Sequence, residues 1–502
     1  MAQTIMVQGT ASHVGKSVIT SALSRILVHD GYRVAPFKSQ NMALNSYVTK
    51  GGGEIGRAQA VQAEAAKVEA TVDMNPILLK PKEDTTAQVI IHGQVQQNMT
   101  AKEYFNEQQV ALTAVQESLA RLKQEFEVVV IEGAGSPAEV NLREYDLVNM
   151  KIAKLAQAPV ILVADIDRGG VFASIVGTLE LLTAEERERI EGIIINKFRG
   201  QKSRLEPGLD YIEEETGIPI LGVIPYFDDF KIPEEDAIAS SEQGSAEYEL
   251  DIAVINLPHI SNFTDFAALA QVPETRVRYV APQEDLEEPD LIILPGTKNT
   301  IEDLECLYQT GVAQQIIELA QAEVPVVGIC GGYQMLGRMI YDPYSVETEQ
   351  GQIEGLGLLD IETTLAAEKI TAQVQAEIKA EQIFAVKQDS ISGYEIHMGH
   401  TRHGVEVEEL FTITQRSDES VSVADGASNK AGTIWGTYLH GIFDNDSLRR
   451  EFINQLRVSK GLAPLVEDEF VVEKEREQAY QKLADLVRDN LDMELLYQII
   501  SI

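Results

Sequence analysis

An apolar run, IMVQG (5–9), breaks at the first glycine of GTASHVGKS (9–17), and a helical pattern follows from Lys16 to about His29. A strand handed to a helix through a short glycine turn fits a parallel sheet, because parallel neighbours are joined by helical crossovers rather than tight hairpins. The rhythm recurs in YRVAPFK (32–38), VVVIEGAG (128–135), APVILVADID (158–167), EGIIINKF (191–198) and IPILGVIP (218–225). Near-continuous apolar strands separated by helical stretches predict a sheet covered on both faces. From about Ile232 the text becomes acidic and rich in Ser and Ala, without apolar periodicity. The rhythm then restarts in LDIAVINLP (250–258), TRVRYV (275–280), PDLIILPGT (289–297) and VPVVGICGG (324–332). The expected architecture is α/β with two domains, each holding a mostly parallel sheet flanked by helices. The expected divisions are 1–231, a linker at 232–249, a second domain at 250–447 and a helical C-terminal extension at 448–502.

At 502 residues the chain is too long for one ordinary core. A net charge of −38 leaves no basic footprint for nucleic acid. The start, MAQTIMVQGT, lacks the basic and apolar regions of a signal peptide. No apolar run reaches the ~20 residues that cross a bilayer. Only two cysteines occur, Cys306 and Cys330, too few for a disulfide framework and in keeping with a reducing cytoplasm. Oligomeric state is not legible.

GTASHVGKS carries the first chemistry. Glycines let backbone N–H groups turn toward phosphate oxygens, and the helix N-terminus adds positive potential. Gly9, Thr10, Gly15, Lys16 and Ser17 form the expected ATP-binding loop, with Lys16 on the terminal phosphates and Ser17 on Mg²⁺. The usual spacing would place glycine at position 10, where Thr10 stands; the first glycine comes one residue earlier. Glu132 closes an apolar strand where ligands gather in open α/β sheets, and is the second expected Mg²⁺ ligand. Asp165 and Asp167 end another such strand as metal or substrate ligands, or as ordinary caps.

GICGGYQMLG (328–337) carries the second chemistry. Cysteine between glycines, directly after a buried strand, describes a sharp turn that exposes a nucleophile. The helix N-terminus behind it favours a thiolate. Cys330 needs a base, and His440 in IWGTYLHGIFDN (434–445) is the candidate. Backbone groups at Gly296, in LPGTKNT, and at Gly331 are the expected oxyanion donors. Cys306 sits in a helical pattern and reads as core.

These motifs resemble known families. The one-residue-longer phosphate loop is similar to that of the dethiobiotin synthetase superfamily, which implies ATP-driven carboxylate activation and an adenine-contacting role for Asn196. GICGGYQMLG with YLHG resembles class I glutamine amidotransferases, in which the cysteine attacks the carboxamide of glutamine and the histidine shuttles the proton. Many members carry Glu two residues after that histidine. Here the position is Ile442, as in the cobyrinate-type subgroup, and Asp444 and Glu395 stand as possible partners for His440. KSQNMALNSYV (38–48), NPILLKP (75–81), EGAGSPAEVNL (132–142), NKFRG (196–200) and LPHISNFTDF (257–266) extend a resemblance to the cobyric acid synthase family nearly end to end.

That resemblance implies ATP, Mg²⁺ and glutamine as reactants and cofactor. It also implies a corrinoid acceptor, adenosylcobyrinate a,c-diamide, amidated at its b, d, e and g carboxylates. Lys38, Gln40, Asn41 and Asn45 are either binders of substrate carboxylates and amides or an ordinary polar loop. Rival readings are a sister amidoligase, such as a cobyrinate a,c-diamide synthase or a cell-wall precursor amidase, and a P-loop switch ATPase.

Overall fold

The computed structural model describes all residues except Met1, 84–85, 228–241, 245–247, 381–382, 385–389 and 467–470. Most of the expected linker at 232–249 therefore lies outside the described residues. The chain forms two compact units. One comprises Met1–Ala43, Glu54–Asp236 and Lys474–Ile502, and the other Leu44–Gly53 and Ala237–Glu473.

The first unit is built on β1 (Gln3–Gly9), β2 (Val34–Phe37), β3 (Val128–Glu132), β4 (Val160–Asp165), β5 (Ile190–Phe198) and β6 (Ile220–Pro225). They form one six-stranded sheet in the order β6-β5-β4-β1-β3-β2. Every neighbouring pair is parallel. β3 and β4 are buried along their whole length, which is why their sequences are unbroken apolar runs rather than alternating ones. Helix α1 (Lys16–His29) follows β1 and puts Ile19, Leu23, Ile26 and Leu27 against one face. A smaller four-stranded sheet, Gln40–Met42, Ile77–Glu83, Thr86–Ile91 and Gln94–Thr100, completes the unit.

The C-terminal segment does not form one extension. Helix Asp446–Ser459 stays with the second unit, where Arg457 pairs with Glu249 at 2.7 Å. Residues from Lys474 onward belong to the first unit. There Leu483, Val487, Leu496 and Ile500 join the core of Ile5, Val7 and Ile19. Arg25, itself almost fully buried, holds Glu477 through two bonds of 2.8 and 2.9 Å. The apolar stripe of an amphipathic helix must be covered, and here α1 and its sheet provide the cover.

The second unit starts from β7 (Leu250–Ile255), β8 (Thr275–Val280), β9 (Leu291–Leu294) and β10 (Val326–Ile329), followed by the short helix α2 (Gly331–Met335). These strands and a later one at Ile434–Thr437 are parallel. The sheet then continues through long antiparallel strands, Ile361–Ile378, Val407–Arg416 and Glu419–Asn429, with Ile391–His403 paired to the first of them. The sequence reading identified no strand between residues 332 and 434. In IETTLAAEKITAQVQAEI the helix-favouring Ala and Glu are mixed with β-branched Ile, Thr and Val, and cross-strand pairing decides for strand.

Candidate active sites

In the first unit β1 ends at Gly9, and Thr10 donates its N–H to Val163 O at 2.9 Å, tying the loop to β4. A side chain at Gly9 would stand 2.6 Å from Val14 and 3.1 Å from Lys16 Nζ. Gly15 has φ 99° and leaves no room for a Cβ beside Asn196 Nδ2. The two glycines are thus the positions where a turn this tight requires them. Lys16 Nζ donates to Ala11 O at 3.0 Å and Gly135 O at 3.1 Å, so the lysine curls over the loop. Asn196 donates to Val14 O at 2.8 Å, while its buried Oδ1 lacks a hydrogen-bond partner among the described residues. A buried unmatched acceptor is costly unless a ligand supplies the donor.

Glu132, at the end of β3, is buried and accepts from Ser17 Oγ at 2.7 Å, from Lys38 Nζ at 3.1 Å and from Gln62 Nε2. Burial alone would raise its pKa. Lys38 above all, with Ser17 and Gln62, outweighs burial and holds the carboxyl below the ordinary range. Asp165 and Asp167 instead pair with cations at the end of β5, Lys197 at 3.2 Å and Arg199 just beyond it at 3.0 Å. The polar stretch 38–45 is divided. Lys38 stands on Glu132, Asn41 donates to Gln59 Oε1 at 3.0 Å, and Gln40 accepts from the Tyr104 hydroxyl. Asn45 belongs to the second unit and accepts the Phe263 N–H at 3.2 Å.

In the second unit Cys330 joins β10 to α2 with φ 52° and ψ −109°, a conformation rarely adopted by a residue with a side chain. Its N–H is fixed to Thr437 O at 2.8 Å. The two glycines that follow leave no room for a side chain: a Cβ on Gly332 would fall 2.0 Å from the backbone Leu294 O, and one on Gly331 2.6 Å from the side-chain Thr297 Cγ2. The thiol, 7% exposed, donates to Ile396 O at 3.4 Å, and Cys330 is one of the groups that raise the pKa of His440. The structure therefore brings together four residues expected from sequence. Cys330 and His440 meet, Gly296 sits with its would-be Cβ 3.1 Å from His440 Cε1, and Gly331 sits against the Thr297 backbone.

The partner of His440 was not among the residues expected. Its Nδ1 meets Asp265 Oδ2 at 2.6 Å, and both side chains are buried. The other Asp265 oxygen accepts Gly441 N–H at 3.1 Å. Burial works against a charged ring, but Asp265, and after it Cys330, push His440 up to about 10. His440 is accordingly an imidazolium at neutral pH. Neither carboxylate offered by the sequence fills this place: Glu395 is held by Arg416 at 2.7 and 3.0 Å and by His397 at 3.3 Å, and Nδ1 faces Asp265 rather than Asp444. Asp265 precedes His440 by 175 residues. Its only local signal is its place in SNFTD, a polar turn shortly after strand β7.

That turn is held from residues 45 and 46. Asn45 Oδ1 accepts from Phe263 N, and Ser46 N donates to Asn262 Oδ1 at 2.9 Å. Asn262 is left-handed at φ 54° and begins the short helical turn Phe263–Phe266 that carries Asp265. Tyr394 stacks on the His440 ring at 5.2 Å.

Two family models match the chain: the CobQ/CobB/MinD/ParA nucleotide binding domain over residues 5–238, and the CobB/CobQ-like glutamine amidotransferase domain over residues 251–448. Full-length relatives are similar throughout. A cobyric acid synthase of Desulforamulus reducens is 53% identical, with 100% of this chain and 99% of the relative aligned. One of Dehalococcoides mccartyi is 51% identical over the same shares, and one of Clostridium botulinum is 50% identical over 99% of each chain.

Proposed function

The chain belongs to the cobyric acid synthase family, and on that premise we propose how its residues divide the reaction. It is a ligase that forms C–N bonds with glutamine as amide donor, and its acceptor is a corrinoid. The proposed acceptor groups are the b, d, e and g carboxylates of adenosylcobyrinate a,c-diamide, in a cytoplasmic setting. Among the described residues no helix is long and apolar enough to cross a membrane.

Cys330 Sγ attacks the carboxamide carbon of glutamine, and the oxyanion is received by backbone groups at Gly331 and Gly296. His440, held charged by Asp265, gives its proton to the leaving nitrogen, so ammonia departs and a thioester remains. Water, deprotonated by the now neutral His440, hydrolyses that thioester to glutamate. In the first unit Lys16 and the loop from Gly9 to Ser17 hold the phosphates of ATP, and Asn196 Oδ1 offers the acceptor that an adenine amino group requires. Ser17 Oγ and Glu132 Oε1 supply hydroxyl and carboxylate oxygens of the kind Mg²⁺ binds; Mg²⁺ would neutralise charge on the phosphates. Transfer of the γ-phosphoryl group to the corrinoid carboxylate turns a poor electrophile into an acyl phosphate. Ammonia displaces phosphate from it to give the amide.

The observation that carries this reading is the Cys330–His440–Asp265 alignment in a chain that also holds a complete phosphate loop. Cys330→Ala is expected to lose glutamine-dependent amidation and retain ammonia-dependent amidation, whereas Lys16→Ala loses both. Unchanged glutamine use in Cys330→Ala would refute it.

A further inference from the structure

The first unit contains a cleft of about 470 Å³ that the chemistry above leaves unused. Its wall is apolar, built from Met42, Leu79, Val89, Met99, Phe105 and Tyr145. Phe105 and Tyr145 stack at 4.3 Å and an interplanar angle of 23°, presenting a flat aromatic surface. Three lining side chains stand out in water although they are apolar: Met42 is 59% exposed, Leu142 47% and Tyr145 42%. Large apolar residues clustered and exposed around one concavity mark a ligand surface. The far end of the cleft is different. It reaches Gly135, Ser136 and Asn149. The Gly135 carbonyl accepts from Lys16 Nζ, and Asn149 is fixed by two bonds to Ala134.

We propose that this cleft seats the corrinoid macrocycle by one apolar face, with the reacting carboxylate arm directed past Ser136 toward Lys16. The proposal rests on the acceptor assigned above. A corrinoid has methyl-bearing, weakly polar faces and a rim of carboxylate and amide arms, and the cleft has an apolar wall and a polar end beside the phosphate loop. Neither ATP phosphates nor glutamine has a use for such a wall. The apolar contact also accounts for several carboxylates reacting at one site. Burial of apolar surface is non-directional, so the ring can be seated in more than one rotation, presenting different arms to Lys16. A ring of directional hydrogen bonds would fix a single orientation.

The test is equilibrium dialysis of the full-length protein against a cyano-corrinoid a,c-diamide acid, read by its visible absorbance, with nucleotide affinity measured in parallel. Leu142→Asp and Met42→Gln alter exposed side chains, so the fold has little to lose. Both are expected to weaken corrinoid binding by about tenfold or more while nucleotide affinity stays within twofold. Corrinoid binding by the variants equal to wild type would overturn the cleft assignment while leaving the acceptor reading intact. A parallel loss of nucleotide affinity would overturn the assignment too, since the residues would then serve the phosphate site. Failure of the unaltered protein to bind the corrinoid would overturn the acceptor reading and the cleft with it.

Discussion

Replacing Asp265 with Asn removes a charge and almost no volume, and isolates what the carboxylate does for His440. The ring rises from an ordinary 6.5 to about 10, a difference worth ~5 kcal/mol in favour of the imidazolium at ~1.36 kcal/mol per pH unit. Burial opposes that rise, and Asp265 is the largest influence overcoming it, ahead of Cys330. Asp265→Asn removes the largest of those influences and returns the ring downward. The sign follows from linkage. A base whose folded pKa is raised keeps its proton, and the stability that proton brings, below about 6.5, and loses both as pH passes through about 10. In the variant that loss begins at lower pH.

The assay is glutamate release as a function of pH, with ammonia-dependent amidation as the control. The wild-type alkaline limb is expected near the upper end of the accessible range. In Asp265→Asn it should move down by one pH unit or more, with kcat lowered about 10²–10⁴-fold, since the ring also loses the acceptor that sets its tautomer. Ammonia-dependent amidation should be preserved. A glutaminase within threefold of wild type, with its alkaline limb unmoved, would refute the role given to Asp265.

Asn45→Ala is expected to slow glutamine hydrolysis about tenfold, because the turn bearing Asp265 loses the bond from Phe263 N to Asn45, and to spare ammonia-dependent amidation; a corrinoid KM change with intact glutaminase would instead make Asn45 a substrate residue. Gly332→Ala places a methyl 2.0 Å from Leu294 O, so glutaminase activity should vanish or the unit unfold, as read by activity and circular dichroism. Lys38→Met leaves the buried Glu132 carboxylate without its cation and should destabilise the protein by ~3–5 kcal/mol in urea unfolding. Because Glu132 has a lowered pKa, its contribution is present above the ordinary carboxylate range and fades on acidification, so the gap between variant and wild type should narrow at low pH. A gap independent of pH would contradict that assignment.

The residues legible from sequence were those whose meaning is local. GTASHVGKS and GICGGYQMLG each carry strand, turn and helix start in about ten residues, and steric need alone explains their glycines. Asp265 was not legible, because the parallel topology brings β7 and the strand before His440 into one sheet across 175 residues. Spacing in the chain records nothing of that. The destination of the tail was hidden for the same reason: amphipathicity shows that residues 474–502 need a partner, not which one. The strands of residues 361–429 were not legible because their apolar residues are diluted by Ala, Glu and Gln, although the burial of Ile361–Ile378 follows strand alternation over much of its length.

The central claim is tested most directly by supplying the protein with ATP, Mg²⁺, a cyano-corrinoid a,c-diamide acid and glutamine labelled with ¹⁵N at the amide, then weighing the corrinoid product. A glutamine-driven corrinoid amidoligase predicts a mass change for each carboxylate converted, with one ¹⁵N carried by every new amide. A corrinoid recovered at its starting mass while glutamine and ATP are consumed would contradict the account.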